Sequence, residues 1–239
     1  MSRILGCEYQ DVEHLSGVGV LDKAVLVLDA VRAGASSLSG LTERTGLSRA
    51  TTHRLAVALE VHRLLARDRE GRWRLGPRLG ELAGAAGPDP LLERAGPVLA
   101  RLRDGTGESA QLYRRVDGSR LCVAAAERRS GLRDTVPVGS SLPMTAGSAA
   151  QVLLAWTPGD PLVAGAAFSA RTLAEVRRRG WAQSAAEREQ GVASVSAPVR
   201  GDGRVAAAVS VSGPLERLTR SPGRLHADAV LAAAAELSR

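Results

Sequence analysis

Between Ser37 and Leu59 the chain reads SLSGLTERTGLSRATTHRLAVAL, two short stretches of helical periodicity hinged at Thr45-Gly46-Leu47. A glycine at the hinge ends the first helix where the backbone turns left-handed, and Ser48 follows with a hydroxyl suited to cap the next. Leu38 and Leu41 supply the inner face of the first helix, while Thr52, Leu55, Ala56 and Leu59 fall on one side of the second. That leaves Ala50, Thr51, His53 and Arg54 outward, with Ser48 and Arg49 at the leading turn. Two helices so spaced form the helix-turn-helix pattern, whose second helix brings small, hydroxylic and guanidinium side chains to base edges and phosphates in a major groove. The competing reading is an ordinary helical hairpin with a solvated basic face. The flanks decide between them.

Upstream, Leu21, Ala24, Val25, Leu28 and Val31 recur at helical spacing through Val20 to Val31, ending at Ala33-Gly34, so a third helix packs behind the pair. Downstream the period changes. Leu64-Leu65-Ala66-Arg67-Asp68 and Arg72-Trp73-Arg74-Leu75 alternate like two short strands about Arg69-Glu70-Gly71. Three helices and a small hairpin make a winged helix, with Arg67, Arg69 and Arg72 on or near a wing suited to the phosphate backbone or a minor groove. Plain solvation is the competing account of each of those arginines. The formal charge of +7 points towards a polyanion, and eleven basic against six acidic residues lie between Val20 and Arg78, so the excess concentrates around the reading head.

At 239 residues the chain has room for two domains and a real core. Residues 1–16 lack periodicity and read as a poorly ordered tail; residues 17–76 form the DNA-binding unit; 77–90, bounded by Gly76-Pro77 and Gly87-Pro88-Asp89-Pro90, form a linker helix; 91–239 form a second domain. The Gly17-Val18-Gly19 run lacks the preceding strand and third glycine of a dinucleotide fingerprint. Two cysteines, Cys7 and Cys122, fit neither a disulfide framework nor a zinc site. No apolar run reaches a membrane span, and Glu8, Asp11 and Glu13 interrupt any secretory core, so a soluble cytoplasmic protein is expected.

In the second domain a helix carries Leu92, Ala95, Leu99 and Leu102 to Gly105-Thr106-Gly107. A hairpin follows about Asp117-Gly118, then an extended stretch from Leu132 to Val138, a loop from Pro143 into an alanine-rich helix near Ala155, and a helix at Thr172 to Arg179. Two β-branched runs, VASVSAPV and VAAAVSV, meet across Gly201-Asp202-Gly203. A last helix from about Gly223 presents Leu225, Ala229, Ala232, Ala233 and Leu237. This mixed antiparallel sheet flanked by helices is an α+β module able to enclose a small-molecule pocket. Ser194, Ser196, Ser210 and Ser212 alternate on adjacent strands, so they either line a cavity with hydroxyls or fill a tight sheet. No phosphate loop, zinc-protease helix or nucleophile elbow occurs, and only His226 among four histidines lies in this domain. No catalytic residue, metal ligand or cofactor is indicated.

Three stretches, GLSRATTHRLAVALEVHRLLARD with GRWRLGPRL, VGSSLPMTAGSAAQVLLAW (Val138 to Trp156) and VRRRGWAQSAAEREQGVASVSAPVRGDGRVAAAVSVSGP (Val176 to Pro214), resemble the IclR family of bacterial transcriptional regulators from Gly17 to the C-terminus. Within it the chain is similar to actinobacterial NdgR/AreB-type members, a branch associated with amino-acid metabolism and, in some members, antibiotic production. The resemblance implies a winged helix-turn-helix that also forms a homodimer contact, a linker helix, and a GAF-like effector-binding domain through which two dimers often associate. It implies double-stranded operator DNA as partner, contacted by Ser48, Arg49, Ala50, Thr51, His53, Arg54, Arg69 and Arg72. It also implies a small-molecule effector, an amino acid or small organic acid, held by Leu142, Ser148, Ala149, Ser184, Val192, Ser194, Ser210 and Ser212. Ser148 and Ser184 stand where some members have a glycine and an acid, so those members' effectors do not transfer. Thr52 replaces a common aliphatic core residue, and its hydroxyl needs a backbone acceptor. The alternatives are an enzyme tethered to DNA and a ligand-independent DNA-binding scaffold.

Overall fold

The computed structural model describes residues 16–239 apart from Ala33 and Asp117. The expected tail, with Cys7 and His14, and the Asp117 half of the first hairpin turn lie outside the described residues. The chain divides into two compact units between Pro88 and Asp89, within the stretch expected to be linker.

The first unit holds α1 (Gly19–Arg32), α2 (Leu38–Thr45), α3 (Arg49–Val61), β1 (Leu65–Arg67), β2 (Trp73–Leu75) and α4 (Pro77–Ala85). Its core is small: Val27, Val31, Leu41, Ala56, Leu59, Leu65 and Trp73 are buried together. Gly46 follows α2 at φ 64°, the left-handed conformation that favours glycine, and its N–H bonds back to the Thr42 carbonyl. β1 and β2 pair in register Leu65↔Leu75 to Arg67↔Trp73. A feature not expected from sequence is a bridge from Ser36 to Trp73, which ties the start of α2 to the wing. Gly76 is needed for space, since a Cβ there would lie 2.1 Å from the Arg63 carbonyl oxygen.

The second unit runs α5 (Pro90–Thr106), β3 (Ser109–Val116), β4 (Ser119–Ala126), β5 (Ser141–Pro143), α6 (Ser148–Leu154), α7 (Ala170–Arg179), β6 (Ala182–Ala185), β7 (Val192–Gly201), β8 (Arg204–Pro214), α8 (Leu215–Leu218) and α9 (Pro222–Leu237). The strands form one antiparallel sheet in the order β5-β4-β3-β8-β7-β6, so the C-terminal hairpin lies beside the first one. Side chains alternate across it. Ala110, Leu112, Val195, Ala197, Val199, Val209 and Val211 pack with α5 and α9. Tyr113, Cys122 and Ala208 join the apolar cluster that contains α6 and α7.

Five expectations need correction. On α1 the buried residues are Val27, Ala30 and Val31, and Leu21 and Val25 of the expected face are exposed. Leu132 to Val138 is irregular and not a strand, because β4 takes its bonds there from Gly139 and Ser140. β5 and β6 are strands too short to show a period of two. On α5 the face of Ala95, Leu99 and Leu102 is buried as expected, but Leu91 joins it four residues before Ala95 while Leu92 is 38 % exposed. On α9 the buried face is Ala227, Val230, Ala233, Ala234 and Leu237, leaving Leu225 53 % exposed and Ala232 exposed. In an alanine-rich helix hydrophobicity barely varies round the axis, so one leucine misassigns the face.

Candidate functional site

Two places in the molecule gather the residues singled out above. The first is the leading half of α3. Ser48 caps it, its Oγ accepting the Thr51 N–H at 3.2 Å and lying 2.9 Å from the Thr51 hydroxyl. Thr52 is fully buried and donates to the Ser48 carbonyl at 3.0 Å, the backbone acceptor its hydroxyl requires. Arg44 on α2 donates to the Ala30 carbonyl at 2.9 Å and so fastens α2 to α1. Arg49, Ala50, His53 and Arg54 are exposed, and the three charged or ring side chains have no partner among the described residues.

The wing arginines differ from one another. Arg72 is spent locally, 2.8 Å from the Asp68 carboxylate and 3.3 Å from that of Glu70. Arg67 stacks 3.8 Å over the Trp73 ring and lies 3.4 Å from Glu60. Arg69 at the tip is exposed and without a partner among the described residues.

The second place is a cavity between the sheet and the start of α6. Ser148, Ala149, Ser184, Val192, Ser194, Ser210 and Ser212 line it. Leu142 stands apart on β5, packed on the apolar cluster that includes Met144. Register explains the serines: Ser194 pairs with Ser212 and Ser196 with Ser210, placing four hydroxyls on one face. They bond to one another. The Ser148 hydroxyl lies 2.7 Å from those of both Ser194 and Ser196, Ser184 lies 2.9 Å from Ser194, and Ser196 donates to Ser210 at 2.9 Å. Ser212 donates to the Gln111 side chain at 3.1 Å. The enclosed space is about 20 Å³, close to one water molecule. Outside it lies an open cleft of about 830 Å³ whose wall shares Asp134 and Val192 with the cavity.

Residues 85–239 match the family described as "Bacterial transcriptional regulator IclR C-terminal", and residues 20–69 match "IclR helix-turn-helix domain". The chain belongs to the IclR family. Among its relatives, the HTH-type transcriptional regulator BhcR of Paracoccus denitrificans is 29% identical over 246 residues, covering 95% of this chain and 88% of that protein. An IclR transcriptional regulator from Alicyclobacillus acidocaldarius shares the fold at TM-score 0.80 and 24% identity, over 92% of this chain and 98% of that one. An IclR homolog from Microbacterium hydrocarbonoxydans, solved with 4-hydroxybenzoate, does so at TM-score 0.76 and 24% identity, over 91% and 98%. The family is one of transcriptional regulators and not of enzymes, which answers the tethered-enzyme alternative.

In this IclR-family chain five cavity residues escaped the sequence reading: Gly147 and, with chemistry of their own, Tyr113, Arg120, Asp134 and Arg188. Arg188 grips Asp134 through one nitrogen, 2.9 Å from each carboxylate oxygen. Arg120 is 3 % exposed and donates through Nη1 to the carbonyls of Pro143 and Ala146. Burial pushes its guanidinium down to about 10, with the Tyr113 phenol acting in the opposite direction. Burial likewise pushes the Tyr113 phenol up, so it stays a neutral hydroxyl. Burial also raises the Cys122 thiol to about 11, and its sulfur lies 3.6 Å from the Val136 carbonyl, so it is no nucleophile at neutral pH. Among the described residues no cluster of His, Cys, Asp and Glu can hold a metal, and no helix is long and apolar enough to cross a membrane.

Proposed function

We propose that this regulator binds a pseudo-palindromic operator as a homodimer and that a small metabolite in the second unit modulates that binding. The observation that carries the DNA reading is the capped leading turn of α3, where Arg49, His53 and Arg54 stand exposed and unpaired. Groups in that state exchange water for DNA without first breaking a bond within the protein. Ser48, Ala50 and Thr51 complete the contact surface, and Arg69 rather than Arg72 is the wing residue free to reach a phosphate. Homodimerisation is supported by the apolar side chains left exposed in the first unit, Val20 at 66 %, Leu21 at 54 %, Val25 at 48 % and Leu82 at 51 %. A dimer of dimers through the second unit follows from the resemblance.

The cavity is the effector site in this reading, with Ser148, Ala149, Ser184, Val192, Ser194, Ser210 and Ser212 as its walls and Leu142 behind them. The family member solved with 4-hydroxybenzoate supports a small organic acid as the kind of ligand, which this cavity would have to widen to admit. An amino acid or small organic acid fits the mixture of hydroxyls and Ala/Val walls, and control of amino-acid metabolism and of secondary metabolism follows the NdgR/AreB resemblance. The ligand shifts DNA binding only by as much as its affinity differs between the two states of the protein.

The test is mobility shift of the purified protein on its own promoter region at two salt concentrations, with and without a metabolite pool. Salt-sensitive binding to one fragment, altered by the pool, is the expected result; equal weak binding to all fragments defeats it. The near-closed cavity favours a second reading, a ligand-independent scaffold. Thermal shift across a metabolite panel separates the two, because only a ligand-binding protein is stabilised by mass action.

A further inference from the structure

Around the cavity the serine hydroxyls are matched to one another, whereas the Tyr113 hydroxyl makes no hydrogen bond among the described residues, and the nearby Gln151, at Oε1, and Arg120 keep buried polar atoms unbonded. Nη1 of Arg120 holds two backbone carbonyls, but its Nε is sealed from solvent with no acceptor, and Nη2 makes no hydrogen bond among the described residues. Nη2 lies against Gly147, where even a Cβ would come within 3.1 Å of it. Neither nearby carboxylate serves it. Asp134 is taken by Arg188, and Glu187 receives the Gly147 N–H at 3.0 Å and the Gln151 amide at 3.1 Å. The Tyr113 ring lies 5.7 Å from the Arg120 guanidinium carbon, and Asp134 and Glu187 act on that group only through space. A guanidinium 3 % exposed with no hydrogen-bonded carboxylate is costly to maintain, since burial strips its hydration and the carbonyls return only part of it. The Nε–Nη2 edge is the side-on fork that a carboxylate fills with two parallel bonds.

An ion pair stands at the wall that the cavity shares with the outer cleft. Asp134 lines both the inner cavity and the outer cleft, and Arg188 lines the inner side. Both stand on irregular segments outside the sheet, and the segment of Arg188 begins at Ala186, held at φ 56° where a non-glycine residue is strained. These segments can part without breaking a strand.

We propose that the cavity takes a small carboxylate-bearing molecule, seated on the Nε–Nη2 edge of Arg120 against the serine hydroxyls, and that the Asp134–Arg188 pair opens to admit it from the outer cleft. In the ligand-free protein the Asp134 carboxylate occupies the second cation at the mouth; on binding, the ligand brings the hydrogen-bonded counter-ion that Arg120 lacks. An uncharged amide of the same shape cannot do so. The inference rests on the reading of this cavity as the effector site.

The experiment measures melting temperature and calorimetric binding for the full chain with sodium acetate, propanoate and benzoate. Acetamide, propanamide and benzamide serve as uncharged isosteres, and sodium chloride holds ionic strength constant. At least one carboxylate is expected to stabilise saturably while its amide does not. Arg120→Gln weakens that carboxylate about tenfold or more, and Arg120→Lys, which keeps charge but loses the fork, falls between. Asp134→Asn, with the ion pair loosened, binds it more tightly than wild type. Equal response to amides and carboxylates, silence towards all three carboxylates, or wild-type affinity in a folded Arg120→Gln overturns the inference. Should Arg120→Gln not fold by circular dichroism, Asp134→Asn decides, weaker or unchanged carboxylate binding counting against it. Operator binding of the same preparations separates this from the regulator reading. Operator binding that responds only to uncharged metabolites defeats the carboxylate site alone, whereas loss of operator specificity with an Arg120-dependent carboxylate response defeats only the regulator reading.

Discussion

On α3, Arg49, His53 and Arg54 face water with their bonding groups unspent, whereas in the cavity Ser148, Ser184, Ser194, Ser196 and Ser210 are largely withdrawn from water and spend their hydroxyls on each other. The difference follows from dielectric. An exposed donor waiting for DNA is hydrated meanwhile, but a buried one left waiting costs about 1–3 kcal/mol, so a pocket inside a fold has to satisfy itself until a ligand arrives. A DNA face is therefore read from its unpaired groups, and a closed pocket from the buried charge its network leaves without a bonded counter-ion, here Arg120.

The sharpest way to break this contrast is from underneath. Leu41 is fully buried below the helix pair, and Leu41→Ala is expected to cost about 2–5 kcal/mol in urea unfolding. A loss below about 1 kcal/mol would mean that the exposed face is held by something other than its core. Next in size, Arg54→Ala and Arg49→Ala each weaken operator binding by about 1–3 kcal/mol while leaving stability within about 0.5 kcal/mol. Fluorescence anisotropy at two salt concentrations then separates the roles: a base-reading arginine relaxes specificity at one base pair, and a phosphate contact lowers the salt slope.

How legible each region is in sequence follows from the same contrast. Gly46, Ser48 and the outward set of α3 act within a few residues of one another, so local spacing reveals them. The serine face is legible for a similar reason, because a two-residue period and the Gly201-Asp202-Gly203 turn fix the register that pairs Ser194 with Ser212. Arg120, Asp134 and Arg188 come from β4 and two irregular segments, and Asp134 and Arg188 are 54 residues apart. No period links such residues; only the folded sheet brings them together. The α9 face is illegible because alanine gives the helix little contrast, and Leu92 because Leu91 and Leu92, four and three residues before Ala95, both fit its face by spacing.

Two smaller effects sharpen the comparison from its two sides. Ser196→Ala removes a fully buried hydroxyl shared with Ser148 and Ser210, and about 1–2 kcal/mol of stability is expected to go with it while ligand-free operator affinity stays put. Unchanged stability would show that the serine network is loose filling. Ser48→Ala removes the α3 cap and is expected to cost about 1 kcal/mol, with operator affinity falling as well because the leading turn frays. If affinity fell with no loss of stability, Ser48 would be a direct DNA contact and not only a cap.

The smallest effect tests burial itself, on the second unit's histidine. Burial holds the His226 imidazole below its ordinary value, the Glu108 carboxylate working the other way. As pH falls, the unfolded chain takes up the proton at about 6.5 while the folded chain still resists it. Its contribution to stability is thus fully present above about 6.5 and declines as pH drops towards the depressed folded value. The carboxylates held low by hydrogen bonds, Asp89 chiefly through Arg114 and Asp104 chiefly through Arg103, lose their share only below the ordinary carboxylate range near 4. The urea midpoint of the wild type is expected to fall between pH 7.5 and pH 5.5, and that of His226→Gln to fall less. A midpoint that rises on acidification would mean that Glu108, and not burial, governs this histidine.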